Sequence, residues 1–304
     1  MTTRLASSVV RLATGMAFTE GPCWLTAHAR LIFTDIPANR IMAWDPAAAT
    51  LSVWREGSHF AIGLACAPDG SVLACEHSTR SLASLDVTPD GQAGKRAVLA
   101  RSVGGRVLNS TNDVCVAADG TILFTDPPFG VRAENGALHG YQQAMELPWC
   151  GIFRVGADPD APVLLSNAVY RPNGLCLSPD GTRLYVSDSS DQHHKVVFFD
   201  VGKEWDLSGP HDFAVMPVGV PDGMRCDSAG NLWVAGGDGV YVYAADGQLK
   251  EHVFVPEMVT NLTFGGAEGC DVFISAVTSL YHLRSVLPGA AFHFSASIRP
   301  QCLI

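Results

Sequence analysis

Six positions along the chain occupy the same place in a repeated sequence pattern, and most of them carry oxygen-bearing side chains. The pattern consists of six similar segments, from EGPCWLTAHARLIFTD near the N-terminus to NLTFGGAEGCDVFISA near the C-terminus. Aligned with one another, the segments place one residue each in a single column: Glu20, Ile62, Asn112, Asn173, Asp222 and Asn261. Converging carboxylates repel each other unless a cation lies between them. If the fold brings this column together, its side chains could hold a metal ion.

The donor atoms of the column favour a hard cation. Carboxylate and amide oxygens without nearby Cys or His suit Ca²⁺ first, and Mg²⁺, Mn²⁺, Zn²⁺ or Fe²⁺ are alternatives. The Asn and Asp residues could instead cap the turns that lead into strands, and for Asn261 this alternative is equally good. Glu20 fits that alternative poorly, because Glu is a poor turn former. The column therefore predicts one divalent metal ion.

The same segments predict the elements that would position the column. From each column residue a second apolar run ends 14 or 15 residues later, at Asp35, Glu76, Asp126, Asp188, Gly236 and Ala276. Each segment has a short strand, a turn such as PDG or ADG and a second strand, which is typical of a β-hairpin. Third and fourth strands follow, such as RIMAWD and LSVWRE in the first unit. Four antiparallel strands per unit are typical of a β-propeller blade.

The six units predict an all-β, six-bladed β-propeller that spans residues 1–304 as one domain. Only five fourth strands lie between units, so we expect residues 8–14 to supply the outer strand of the last blade and close the ring. The pattern does not place the tail after Leu283. A β-sandwich with chance similarity between its hairpins is the alternative, but the spacing that recurs through all six units argues against it.

Composition restricts the partners and the compartment. The net charge of −10 has no basic stripe, which argues against nucleic acid and anionic membrane as partners. No apolar stretch reaches the ~18 residues of a membrane span, and the N-terminus lacks a signal-peptide core. Nine cysteines without a CxxC pair argue against a zinc ribbon and are expected to be small buried thiols. We therefore expect a cytoplasmic protein that acts on a small molecule, and the sequence does not predict its oligomeric state.

Four motifs that occur in order along nearly the whole chain resemble a known family. They are FTEGPCW, LNSTNDVCVAADGTILFTDPPFG, RPNGLCLSPDGTRLYVSD and PDGMRCDSAGNLWV. Together they are similar to the senescence marker protein-30/gluconolactonase/luciferin-regenerating enzyme family, and within it to the bacterial gluconolactonases. The resemblance implies a metal-dependent lactonase that hydrolyses a sugar lactone such as gluconolactone to the corresponding sugar acid.

The resemblance also assigns roles to residues of the column. It implies that Glu20, Asn173 and Asp222 bind the metal and that Asn112 contacts the substrate or a water on the metal. The animal members carry an arginine two residues before that asparagine, and Ser110 stands there in this chain. The polar contact of that arginine with the sugar is thus missing or is supplied from elsewhere.

The resemblance implies a reaction in which the metal polarises the lactone carbonyl, so that the developing negative charge is stabilised as water attacks. Asp222 is the favoured general base, and a water bound to the metal that acts without it is the alternative. We also expect Ser110, His77 and Tyr141 to contact the substrate. Tyr141 lies in the connection 127–149, which is long enough to form a lid, although a structural or surface role remains open for His77 and Tyr141.

Two other functions remain open at this stage. A squid-type phosphotriesterase carries a similar ring of Glu, Asn, Asn and Asp, so phosphotriester hydrolysis is one alternative. A non-enzymatic interaction propeller is the other. It has no need of a ring of acids, and such repeats usually carry blade signatures such as WD, which are absent here.

Overall fold

The chain folds into six four-stranded antiparallel sheets that form a six-bladed β-propeller, as seen in a computed structural model that describes residue 5 and residues 7–131 and 143–290. This architecture confirms the fold class expected from the repeats. After β1 (Val10–Thr14), the first blade comprises β2 (Thr19–Leu25), β3 (Arg30–Asp35), β4 (Arg40–Asp45) and β5 (Thr50–Glu56). The second blade comprises β6 (Ala61–Cys66), β7 (Val72–Glu76), β8 (Ser81–Val87) and β9 (Ala93–Ala100), and a short hairpin of β10 (Ser102–Val103) and β11 (Arg106–Val107) follows it.

The remaining blades repeat this order from the centre outwards. The third comprises β12 (Val114–Val116), β13 (Ile122–Asp126), β14 (Gly151–Arg154) and β15 (Val163–Ser166). The fourth comprises β16 (Pro172–Leu177), β17 (Arg183–Asp188), β18 (Lys195–Val201) and β19 (Leu207–Val215). The fifth comprises β20 (Met224–Cys226), β21 (Leu232–Gly236), β22 (Gly239–Tyr243) and β23 (Leu249–Phe254), and the sixth contains β24 (Val259–Gly265), β25 (Asp271–Ala276) and β26 (Ser279–Arg284). Two single-turn 3₁₀ helices, Thr26–His28 and Lys203–Trp205, lie in connections.

The N-terminal strand closes the ring, as the sequence predicts. Strand β1 pairs antiparallel with β26, with Val10 opposite His282 and Thr14 opposite Ser279. The sixth sheet therefore has the order β1-β26-β25-β24. Leu12 packs against a core cluster that the first and sixth blades share. One strand thus joins the beginning of the chain to its last blade.

Removal of residues 1–14 should lower the melting temperature of the whole domain. The deletion exposes the edge of β26 and removes the contact of Leu12 with the core shared by two blades. Thermal unfolding followed by circular dichroism measures the change. A variant that lacks only residues 1–4 is the control, since it keeps β1 intact. Equal melting temperatures for the 1–14 deletion and the parent would show that β1 does not stabilise the ring.

The hydrophobic core lies between neighbouring blades, where side chains of one sheet pack against the next. Ile32 of the first blade and Leu64 of the second are fully buried in one such cluster. Between the fifth and sixth blades, Trp233 meets Phe264 edge to face, with ring centroids 5.4 Å apart. Packing on both faces of each blade leaves the innermost strands little freedom to move.

Two further findings concern membrane-spanning helices and the cysteines. Among the described residues, no helix is long and apolar enough to cross a membrane. Seven cysteines within these ranges are free thiols, most of them buried. Cys270 is disulfide-bonded, so the expectation that every cysteine is a thiol is wrong for this residue.

Candidate functional site

The innermost strands bring the column residues together at one end of the central channel. Asn112 Nδ2 donates a hydrogen bond to Asn173 Oδ1, which joins the third blade to the fourth. Asn261 Nδ2 donates to Glu20 Oε2 at 3.0 Å, which joins the sixth blade to the first. The Asn173 side chain is also hydrogen-bonded to the carboxylate of Asp222. The column therefore surrounds this end of the channel, and its polar side chains meet across blades in two hydrogen-bonded groups; we call this arrangement the ring and this end the ring mouth.

Hydroxyl groups on the second strand of one blade hold the backbone of the column residue in the next blade. In three blades, the residue before the last residue of the second strand is Thr or Ser, and its hydroxyl donates to the carbonyl of the next column residue. The bonds are Thr34 Oγ1 to Ile62 O at 3.0 Å, Thr125 Oγ1 to Asn173 O at 2.7 Å and Ser187 Oγ to Asp222 O at 2.9 Å. The FTD and VSD sequences thus hold the column in place.

Glycines that follow the column residues permit this close approach. A Cβ on Gly63 would lie 2.5 Å from the carbonyl oxygen of Asn112, and one on Gly174 would lie 2.3 Å from that of Asp222. Real Cβ atoms do not come so close to backbone, so a side chain at either position would push adjacent blades apart. The close approach of adjacent blades therefore requires glycine after the column residue at these positions.

The third blade breaks this glycine pattern, and the exception is an acid beside the ring that the sequence reasoning missed. Asp113 stands where four other units have Gly, and it is buried beside the ring. Its Oδ1 accepts from Val114 N at 2.9 Å, and its Oδ2 lies 3.6 Å from Arg225 Nη1. Burial raises the pKa of Asp113, and the Arg225 guanidinium opposes this. A single acid in a column of glycines is the signal that could have revealed it.

The ring carboxyl groups have raised pKa values. Burial, followed by the neighbouring Asp113 carboxylate, raises the pKa of Glu20 to about 8. Burial also raises the pKa of Asp222 well above its ordinary value, and the charges of Glu20 and Asp113 add to this effect. Asp222 is only half-buried, whereas Glu20 is buried. Three acids in a confined space thus oppose one another's ionisation, and a cation would relieve that repulsion.

The ring residues fit a divalent metal ion. The buried Asn112 Oδ1 has no hydrogen-bond partner, so an oxygen lone pair is free at the ring. Glu20 and Asp222 supply two carboxylates, and Asn173 supplies an amide. Within residues 7–131 and 143–290, no three His, Cys, Asp or Glu side chains form a ready metal cluster, so a cation here would need amide oxygens as well. This all-oxygen donor set suits a hard cation.

The predicted rim residues have other contacts in the structure. Ser110 is fully buried, its hydroxyl donates to Pro127 O at 2.7 Å, and Gly130 N donates to it at 2.9 Å. His77 is also buried, and it packs so closely on Gly130 that a Cβ there would lie 2.5 Å from His77 Cγ. Both residues thus position the segment after β13, and contact with substrate stays a prediction for Ser110 and His77. Tyr141 lies outside the described residues.

Other acids near the ends of second strands have structural partners. Glu76 forms a two-bonded ion pair with Arg96, from Nε at 2.7 Å and from Nη2 at 2.6 Å. Asp188 Oδ2 lies 2.6 Å from His193 Nδ1, and its Oδ1 accepts from Arg171 N at 3.2 Å. These carboxylates bind side chains and backbone near their own strands and do not contact the ring residues in these bonds. They are therefore suitable controls for substitutions in the ring.

The raised pKa values predict that the metal-free protein loses stability as the pH rises towards 8. An unfolded Glu loses its proton at a pKa of about 4.3, whereas Glu20 keeps it to about 8 in the fold. Between these values the folded state holds a proton that the unfolded state has released, so the free energy of unfolding falls as pH rises. Asp222 acts with the same sign. We expect a higher melting temperature for metal-free protein at about pH 6 than at about pH 8.5.

The control for this pH dependence is Glu20→Gln, which removes one of the titrating groups. Its melting temperature should change less between the two pH values than that of the parent, each measured after exhaustive dialysis against a chelator. An identical pH dependence in the two proteins would show that Glu20 does not titrate in this range.

The ring and the blades around it have counterparts among known proteins. The family described as the SMP-30/Gluconolactonase/LRE-like region matches residues 18–278. A gluconolactonase from Zymomonas mobilis is 28% identical over 300 residues, which cover 90% of this chain and 80% of the relative. An L-arabinolactonase from Azospirillum brasilense is 32% identical over 262 residues, which cover 82% of this chain and 78% of the relative. A solved gluconolactonase from Xanthomonas campestris is 33% identical and superposes with a TM-score of 0.84, and the match covers 93% of this chain and 91% of the Xanthomonas chain.

Proposed function

Because the chain belongs to the SMP-30/gluconolactonase/LRE-like family and is a lactone-hydrolysing enzyme, we propose that it opens a sugar (aldono-) lactone such as gluconolactone in a metal-dependent reaction. The observation that carries this proposal is the ring mouth, where two carboxylates and an unpartnered amide oxygen meet. Relatives at a similar level of identity act on hexono- and pentonolactones. The substrate class is therefore a sugar lactone of five or six carbons.

Glu20, Asn173 and Asp222 are the proposed ligands of one divalent ion, with Ca²⁺ as the first candidate. When bound, the ion would supply positive charge that stabilises the negative charge developing on the lactone carbonyl oxygen. Asn173 has a second task, since its side chain is hydrogen-bonded to Asp222 and holds that carboxylate in position. Asn112 lies beside Asn173 and offers its free Oδ1 to a hydroxyl of the sugar.

Asp222 is the proposed general base. It is the ring carboxylate with partial exposure, so an attacking water can reach it from the ring mouth. Its raised pKa comes from burial and from neighbouring negative charge, and a cation in the ring would oppose this rise and favour the ionised carboxylate. Ser187 Oγ holds the Asp222 carbonyl at 2.9 Å, so the side chain starts from a fixed backbone position. Asp222 would therefore accept the proton of the water as the new C–O bond forms.

Proton release from a panel of lactones tests the proposal. We expect turnover of hexono- and pentonolactones that is lost on chelation and restored by a divalent cation, because the ring acids need a cation to ionise together. A phosphotriester measured in parallel should give a much lower kcat/KM. Undiminished lactone hydrolysis in exhaustively demetallated protein would contradict the metal dependence, and a higher kcat/KM for the phosphotriester would contradict the substrate class.

A further inference from the structure

A cavity of about 1610 Å³ lies at the end of the channel opposite the ring mouth. The turns between the first and second strands surround it, and the C-terminal halves of the innermost strands form its floor. Ligand sites usually measure roughly 300–1,000 Å³, so this space admits a molecule as large as a tripeptide. Its lining includes several thiols and one guanidinium: Cys23, Cys66, Cys115, Cys176, Cys226 and Arg225.

Two of these thiols are in direct contact. Cys23 Sγ on β2 lies 3.2 Å from Cys66 Sγ on β6, so the pair joins the innermost strands of the first and second blades. Both are free, and the separation exceeds the covalent S–S length of about 2.05 Å. Cys66 is exposed to the cavity, whereas Cys23 is buried behind it. A reagent in the cavity therefore meets Cys66 first.

The hydrogen bonds of the pair distinguish the two sulfurs. Cys66 Sγ donates to Trp24 O at 3.3 Å, which leaves Cys23 as the donor to Cys66. This bond lowers the pKa of Cys66 and, together with burial, raises the pKa of Cys23 well above its ordinary value. Cys66 is thus the more readily ionised sulfur, and thiolates are the nucleophiles of thiol–disulfide exchange.

We propose that Cys23 and Cys66 form an oxidisable dithiol site, which a small-molecule disulfide entering the cavity converts to a disulfide bond between the first and second blades. The Cys66 thiolate attacks one sulfur of the small disulfide, and a mixed disulfide forms while the first small thiolate leaves. Cys23 then attacks Cys66 Sγ, its proton passes to the second departing thiolate, and the Cys23–Cys66 bond forms. Two protein thiols are oxidised and one small disulfide is reduced to two thiols.

The cavity contains a matched control pair. Cys176 Sγ and Cys226 Sγ lie 3.9 Å apart on the fourth and fifth blades, and both residues are buried. Attack requires access as well as proximity. We therefore expect oxidation at Cys23 and Cys66 before any at this second pair, although the same cavity serves both.

The test treats the full-length protein with oxidised glutathione and maps its peptides under non-reducing conditions. We expect a cross-linked Cys23–Cys66 peptide in most molecules and a higher melting temperature that reverts on reduction. In Cys23→Ser the cross-link cannot form, so Cys66 should accumulate the glutathione adduct. Cys176→Ser should cross-link Cys23 to Cys66 as the parent does. Circular dichroism checks that the variants are folded. Because the readout is a covalent bond and not an activity, the result does not depend on which lactone the enzyme hydrolyses.

Three outcomes would overturn the proposal. The first is a stable glutathione adduct on Cys66 of the parent, as in Cys23→Ser, because Cys23 would then fail to resolve it. The second is an unmodified Cys66, which would mean that the cavity does not admit the disulfide. The third is a Cys176–Cys226 cross-link that forms as fast, because the reactivity would then not be specific to the pair that contains the exposed Cys66.

Discussion

Glu20→Gln should weaken the binding of a divalent cation by at least about 10²-fold. The substitution keeps the shape of the side chain but removes one negative charge from the ring. At an effective dielectric constant of 20, two unit charges about 4 Å apart interact by about 4 kcal/mol, roughly a thousandfold in affinity, and the second charge of a divalent ion makes this a lower bound. Part of this is offset, because with a pKa of about 8 Glu20 must first lose a proton near pH 7, which costs about tenfold. Isothermal titration calorimetry with Ca²⁺ measures the remaining difference.

Glu76→Gln is the matched control for this titration. Glu76 is a buried glutamate on the second blade, and its charge is paired with Arg96 instead of facing the ring. Its substitution should leave the cation affinity within a few-fold of the parent, while thermal unfolding reports any loss of stability. If Glu20→Gln binds the cation as tightly as Glu76→Gln does, Glu20 is not a ligand, and its contact with Asn261 has a purely structural purpose.

The sequence predicted the fold almost to the residue, because the signals of a propeller blade are local. The predicted second-strand ends at Asp35, Glu76 and Asp126 are the last residues of β3, β7 and β13. Hairpin turns and apolar runs determine these ends within one unit, and ring closure follows from counting strands. The four motifs likewise identified the family, which the match over residues 18–278 confirms. The lactonase relatives also favour an enzyme over an interaction propeller.

The contacts within the ring were predictable only in part. A shared column position implies that Glu20, Asn173 and Asp222 converge, but it does not indicate which side chains are hydrogen-bonded. The pairing of Asp113 with Arg225 depends on the third and fifth blades meeting across the channel, and no local pattern encodes that distance. Ser110 is another example. Its position two residues before Asn112 suggested contact with the substrate, but did not indicate that its hydroxyl is hydrogen-bonded to Pro127 and Gly130.

Asp222→Asn should reduce turnover by about 10²- to 10⁴-fold at saturating metal, the usual cost of losing a positioned general base. Asparagine keeps the shape of the side chain and one ligating oxygen, and Asn173 supplies an amide to the same ring. The cation should therefore still bind, more weakly for want of one negative charge. The measurement is kcat for lactone hydrolysis as the metal concentration is raised until the rate no longer changes. The pH profile gives a second readout, since the parent should lose activity as Asp222 is protonated at low pH and the variant should not.

Asp188→Asn is the control that separates the loss of a base from the loss of any nearby carboxylate. Asp188 ends β17 in the adjacent blade, where it is bound to His193 and to the backbone of Arg171, so its substitution should change kcat by less than about tenfold. Saturating metal decides between the two tasks assigned to Asp222. If turnover of Asp222→Asn recovers fully once the metal is raised, Asp222 is a ligand alone and another group accepts the proton of the attacking water. If the deficit persists at saturation while Asp188→Asn stays active, the half-buried carboxylate at the ring mouth is the base.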